Sequence, residues 1–272
     1  MFTKTIIFSA LVILTVSPAA VPAAVVLGTA GNFTVLAGST VTNTGNTVID
    51  GGNVGVSPGT AITGFPPRSV TSPYTLDSAN AVASQAQSDL TTAYNACAGL
   101  APTQNLTGTN LGGLTLTAGV YFFSSSAGLT GTLTLNDQGN SAAQFVFQIG
   151  STLTTASNAS VVVLNSGSTP DCNVFWQVGS SATLGTGTAF EGHILALTSI
   201  TLNTGATITD GSALARNGAV TLDANTISNC ASSNINTGPA AVGQPATATL
   251  VLAGAGLVGI YTLTTRWRSR RT

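Results

Sequence analysis

The chain of 272 residues carries charged side chains at only 6% of its positions, against about 25% in an ordinary soluble domain, while apolar residues make up 43%. That composition excludes a disordered polyelectrolyte, which combines high charge with few apolar residues. All eight acids lie between the two ends, where only Arg68 and Arg216 oppose them, so the body has a net charge of −6. A body this acidic excludes nucleic-acid binding by phosphate neutralisation.

In chain order, the first element is an address. Residues 1–24 place Lys4 before the apolar run 6–16 and end in small residues, the three-part order of a secretory signal peptide. The body, residues 25–235, opens with glycine- and threonine-rich text that includes NTGNTVIDG (43–51). This phrase returns as NTGATITDG (203–211), the two agreeing at six of nine positions. Between them, residues 75–100 hold one helical pattern. Ala79, Val82, Ala83, Ala86, Leu90, Ala93, Tyr94 and Cys97 recur at spacings of three and four, with Asp77 or Ser78 as N-cap and Gly99 as stop. The stripe is mostly alanine, so the helix must lie close against a flat surface.

The rest alternates in short β pieces such as 119–123, 144–149, 161–164 and 174–178, separated by Gly, Asn and Ser turns. Leucine-led phrases begin at Leu153, Leu184, Leu202 and Leu222. The last three are spaced at 18 and 20 residues, about one turn of a solenoid whose leucines stack into a core ladder. Export permits disulfides. Cys172 and Cys230 both occupy loop positions able to staple the closing coils, which leaves Cys97 unpaired in the helix. The cysteines are far apart and His193 is the only histidine, so no metal site and no cofactor is expected. A Pro/Ala/Gly linker (236–246) then leads to an uncharged run of about 19 residues within 247–272, closed by Trp267 and four arginines. That length suits a membrane segment with the arginines on its cytoplasmic side. The tail resembles bacterial C-terminal sorting tails of the exosortase type, although Gly243-Gln244-Pro245 stands where such tails usually carry Pro-Glu-Pro.

Residues 26–229 resemble the secreted microbial ice-binding proteins. The matching text includes LGTAGNFTVLAGSTVTNTG (27–45), GNVGVSPGTAITGFP (52–66), TAYNACAGL (92–100), LTAGVYFFSSSAGLTGTLTLN (116–136), the stretch from Cys172 to Thr207 and LARNGAVTLDANTIS (214–228). The resemblance implies a mainly β fold, a right-handed β-helix (solenoid) of triangular cross-section with one long α-helix packed alongside. It also implies an N-terminal strand region that joins the coils out of sequence order. The family's loose T-A/G-x-T/N motif is matched by Thr44-Gly45-Asn46-Thr47, Thr155-Ala156-Ser157-Asn158 and Thr204-Gly205-Ala206-Thr207, and in part by Thr186-Gly187-Thr188 and Ala224-Asn225-Thr226. The implied partner is ice, and the implied contact residues are Thr44, Thr47, Thr155, Ser157, Asn158, Thr186, Thr188, Thr204, Thr207 and Thr226. Thr155, Thr186 and Thr204 are expected on adjacent rungs, about 4.7–4.9 Å apart and close to the oxygen repeat of ice. Ala156, Gly187 and Gly205 are expected to point inward or lie flat.

The body is expected to act as a monomer, and the membrane enters only through the C-terminal segment. Two rival functions have some footing. Glu191-Gly192-His193 on a strand would place both side chains on one face and imitate an acid/base pair. With no lysine in the body and no nucleophile motif, the reading is not an enzyme. The other rival is a non-catalytic surface adhesin or coat protein that uses the solenoid as a stalk.

Overall fold

The structure, a computed structural model, describes residues 24–65, 73–140, 142–165 and 172–230. The linker, the tail and all but the last residue of the signal segment lie outside them. Among the described residues no helix is long and apolar enough to cross a membrane.

Apart from one 3-10 turn and one α-helix, α1 (Ala81–Gly99), the regular structure is short strands, all paired in parallel. They form a 14-stranded and a 7-stranded sheet. The chain winds through three strand runs per coil. Val174–Val178 lies in the larger sheet under the helix, Ala182–Leu184 in the smaller sheet, and Ala189–Ala196 begins a third run before bending back under the helix. The fold is mainly β and β-helix-like.

Two kinds of strand follow from what covers them. Strands beneath the helix are buried on both sides and read as continuous apolar runs, as in Phe145–Ile149 and Val174–Val178. Their inward residues stack as Tyr121, Phe147 and Trp176, with ring centroids 5.3 and 3.9 Å apart. Their outward residues, among them Val120, Val146, Phe175, Leu195 and Leu214, pack with the small apolar stripe of α1. Strands of the 7-stranded sheet bury one side only. Leu184, Leu202 and Leu222 stand in register there and are fully inside.

The helix is shorter than the sequence pattern suggests. Leu76–Ser78 is a strand paired with Asn53–Val56, and Asn80, rather than Asp77 or Ser78, caps α1 by accepting a hydrogen bond from the Ala83 amide. Asp77 is buried and receives hydrogen bonds from Asn53, Thr75 and Asn80, so its carboxylate anchors the strand-to-helix turn instead. Ala79 has φ +47° outside the helix, and Val82 is exposed, which removes both from the apolar stripe. Gln148 holds the other end of α1, its Nε2 donating to the carbonyls of Cys97 and Leu100 at 2.7 and 2.8 Å.

The coils do not follow chain order. Phe33–Ala37 pairs with Thr207–Ala215, Thr40–Thr44 with Val220–Asp223, and Val48–Asp50 with Thr226–Ser228. The N-terminal coil therefore extends the C-terminal stack, and the copied phrases 43–51 and 203–211 flank a single intervening rung.

Candidate functional site

Among the described residues the 7-stranded sheet carries no helix, and its outward positions follow one pattern. Alternation puts one side chain of each short strand outward. Backbone register aligns Gly128, Thr154, Thr183, Thr201, Thr221, Thr42 and Thr63 in one row across seven neighbouring strands. Each threonine in it is exposed or half-buried. The hydroxyls of Thr42, Thr154, Thr183, Thr201 and Thr221 make no hydrogen bond to a described residue, while Thr63 Oγ1 donates to the Val41 carbonyl at 3.3 Å. The residues two positions earlier are small or hydroxylic: Ser126, Thr152, Ser181, Ser199, Ala219, Thr40 and Ala61. They bond sideways along their own row, as in Thr152 Oγ1 to Ser126 Oγ at 2.9 Å and the Ala219 amide to Ser199 Oγ at 3.2 Å.

The turns that follow these strands hold the threonines expected from the T-A/G-x-T/N motif, and the structure sorts them differently. Backbone hydrogen bonds run from Asn158 to Thr186, Gly187 to Thr204, Gly205 to Asp223 and Ala224 to Thr44. This gives an outer turn row of Ser157, Thr186, Thr204, Asp223 and Thr44. Ser157 and Thr186 are exposed, with no hydrogen bond from their hydroxyls. Thr204 and Thr44 donate to the Asp223 carboxylate, Thr44 at 3.1 Å. An inner row, Ala159, Thr188, Ala206, Asn225 and Thr47, is buried throughout.

Three of the residues expected at the contact, Thr155, Thr188 and Thr47, are buried. Thr155 pairs with Leu129 and sits in the leucine row, because Leu153 aligns with Ala182 and not with Leu184. Its hydroxyl lies 2.7 Å from Thr188 Oγ1 and accepts from the Gly185 amide at 2.8 Å. Thr155 and Thr188 thus satisfy each other inside the coil, and neither reaches solvent. Thr47 is also buried, accepting from the Asn225 amide at 3.1 Å. Thr207 and Thr226 lie in register with Ala189 and Val48 on the third strand run, away from the 7-stranded sheet. Asn158 is an exposed turn residue at φ +58°. Gly187 and Gly205 do not point inward. They are exposed at φ +66° and +72°, backbone geometry that an L residue resists, so glycine there serves the turn. Ala156 is half-buried.

The acid/base look-alike is not assembled. The register slips between Glu191 and His193, with Gly192 at φ +98°, so their side chains do not share a face. His193 is buried. Its Nδ1 lies 2.8 Å from Ser212 Oγ, the ring also bonds the Cys172 backbone, and burial pulls its pKa down to about 4. It is a neutral, satisfied core histidine. Cys172 and Cys230 are disulfide-bonded with Cα atoms 5.8 Å apart, and Cys97 is a buried free thiol whose pKa burial pushes up to about 12. Among the described residues no cluster of His, Cys, Asp and Glu could hold a metal ion.

Fold and surface together define a coiled parallel-β protein that offers solvent an uncharged, in-register row of hydroxyls. The family model described as Ice-binding-like matches residues 35–228, and the chain belongs to that family. An ice-binding protein of Nostoc sp. (strain HG1) is 58% identical over 234 residues, covering 86% of this chain and 84% of its own length. One from Colwellia sp is 40% identical over 229 residues, covering 77% of this chain and 85% of its own. The crystal structure of an ice-binding protein from an Antarctic biological consortium is 46% identical with a TM-score of 0.71, covering 80% of this chain and 96% of that one.

Proposed function

We propose that this protein binds ice through the exposed side of its 7-stranded sheet, and so restrains ice growth or holds a cell against ice. The observation that carries the reading is the row Thr154, Thr183, Thr201, Thr221, Thr42 and Thr63, six consecutive threonines at inter-strand spacing. Ice presents neither charge nor pocket, only a repeat. Each threonine sets one methyl and one hydroxyl at a fixed place in that repeat, and β-branching limits χ1, so little side-chain freedom is lost when water orders against the row. Hydroxyls without a protein partner can bind such water in both donor and acceptor senses. The exposed turn residues Ser157 and Thr186 border this surface and add to it.

Three strand runs per coil and the relatives named above support a right-handed solenoid of triangular section. The segment 1–24 would export the chain, and 247–272 would hold it at the membrane or mark it for sorting. On that reading surface adhesion and ice binding are one function, with ice as the adherend and the body acting as a monomer.

The test is a freezing–melting gap measured on the purified chain, together with shaping of a single ice crystal. A gap with faceted crystals is expected. Round crystals and no gap at millimolar protein would exclude ice as the ligand.

A further inference from the structure

Asp223 is the only charged residue in the seven strands of the bare sheet. It lies two positions after Thr221, so its side chain leaves the strand on the same outward side as the threonine row. It also occupies the middle of the outer turn row, between Thr204 and Thr44. Both neighbours donate their hydroxyl protons to its carboxylate, Thr204 to Oδ2 and Thr44 to Oδ1 at 3.1 Å. A threonine has a single hydroxyl proton to give. Thr204 therefore turns its donor toward Asp223, and Thr44 shares its donor between Asp223 Oδ1 and the Leu222 carbonyl at 3.2 Å, both away from solvent, whereas Thr201, Thr221 and Thr42 on the adjoining row make no hydrogen bond to a described residue.

We propose that Asp223 is a specificity-determining residue that sets the lateral boundary of the ice-contacting surface. The inference rests on the reading that the bare sheet binds ice. A carboxylate holds its own hydration shell, and stripping or reordering that shell to match a lattice is costly. It also accepts hydrogen bonds without donating any, while a site in ice requires both. With Asp223 in place, the turn row is interrupted at its fourth rung and two of its threonines face sideways. On the rungs beside Asp223 contact ends at the strand row, only Ser157 and Thr186 extend it into the turns, and the crystal plane bound is the one matched by the strand row.

The experiment replaces Asp223 in the full chain by Thr and, separately, by Asn. Asp223→Thr restores an uncharged hydroxyl at that rung and frees Thr204, while Thr44 keeps the Leu222 carbonyl as its acceptor. Its freezing–melting gap should rise on the order of twofold as a second row adds contact area. Fluorescently labelled protein should also decorate an additional plane of an ice hemisphere. Asp223→Asn retains an acceptor for one neighbour without the charge and should give a smaller rise on the same plane. Asp50→Asn, on the third strand run, is the control and should change neither readout. A gap and plane unchanged or reduced in both Asp223 variants, with melting temperature retained, would overturn the proposal. If Asp223→Thr loses its fold, the Asn variant alone decides. Thr201→Tyr separates the two ideas. If it abolishes the parent's gap while the Asp223 variants change nothing, the boundary fails and the face stands. If it leaves the gap intact, the face itself is wrong.

Discussion

The two sides of one coil handle polar groups in opposite ways. Beneath α1, Gln148 bonds two helix carbonyls, and His193 bonds Ser212 and the Cys172 backbone. On the bare sheet, five adjacent threonine hydroxyls are left without a protein partner. A buried polar group without a partner costs roughly 1–3 kcal/mol, so the covered side must satisfy each one, whereas solvent satisfies the other side at no cost. An unbonded row is therefore informative only because it is ordered. Its spacing is imposed by the backbone ladder, and no described residue uses its hydroxyls.

The largest effect expected from that contrast is on the bare side. Thr201→Tyr, at the middle of the row, should remove most of the freezing–melting gap while shifting stability by about 0.5 kcal/mol or less, as surface substitutions usually do. Thr186→Tyr in the turn row should remove a smaller part. Equal losses would move the contact surface toward the turns.

The covered side should respond to pH instead. His193 has a folded pKa near 4, below the unfolded value near 6.5, so between those values the unfolded chain binds a proton that the folded chain does not. Stability should be flat above pH 6.5 and fall by roughly 3 kcal/mol as pH drops toward 4, seen as a falling melting temperature. His193→Gln should flatten that slope. The gap, measured where the protein remains folded, should not follow it.

The smallest effect tests the rule at an exception. Asn43 stands in the leucine row beside Leu222, its Nδ2 donates to the Gly64 carbonyl at 3.4 Å, and its Oδ1 is buried with no partner. Asn43→Leu continues the row and should raise stability by about 1 kcal/mol in chemical denaturation, with the gap unchanged. A loss of stability would mean that the Gly64 contact outweighs the orphaned oxygen.

The leucine spacing at 184, 202 and 222 was enough to place a core ladder, and the alanine stripe to place a helix against a flat sheet. The contact residues were harder to read, because threonine serves three different rows of this coil. Two offsets in register obscure which threonines face solvent. Setting Leu153 against Leu184 shifted one rung by two positions and turned a buried Thr155 into an apparent surface residue. The agreement between 43–51 and 203–211 hides one extra residue in the first turn, since Ile49 and Ile208 share a row through Ile227. The usable signal was strand alternation: Leu153-Thr154-Thr155, Ala182-Thr183-Leu184, Ile200-Thr201-Leu202, Val220-Thr221-Leu222 and Val41-Thr42-Asn43 each centre on the threonine that faces out. A motif read through its turns conceals that alternation. The helix start is hidden because Asp77, a natural cap by type, is used inside the fold by Asn53, Thr75 and Asn80.

The out-of-order coil also sets a timetable for the molecule. Residues 33–50 are made first, yet the strands they adjoin, 207–228, are made last, and Thr40–Thr44 waits for Val220–Asp223. Closing so long a loop is slow, and a waiting strand is an open edge that other chains can join. The middle coils can stack on one another as they emerge, but the full row of threonines exists only after the two ends meet. A chain cut short just before residue 220 would keep much of its β structure and lose Thr221 and, with the strand they stack on, the two outermost rungs of its surface, Thr42 and Thr63.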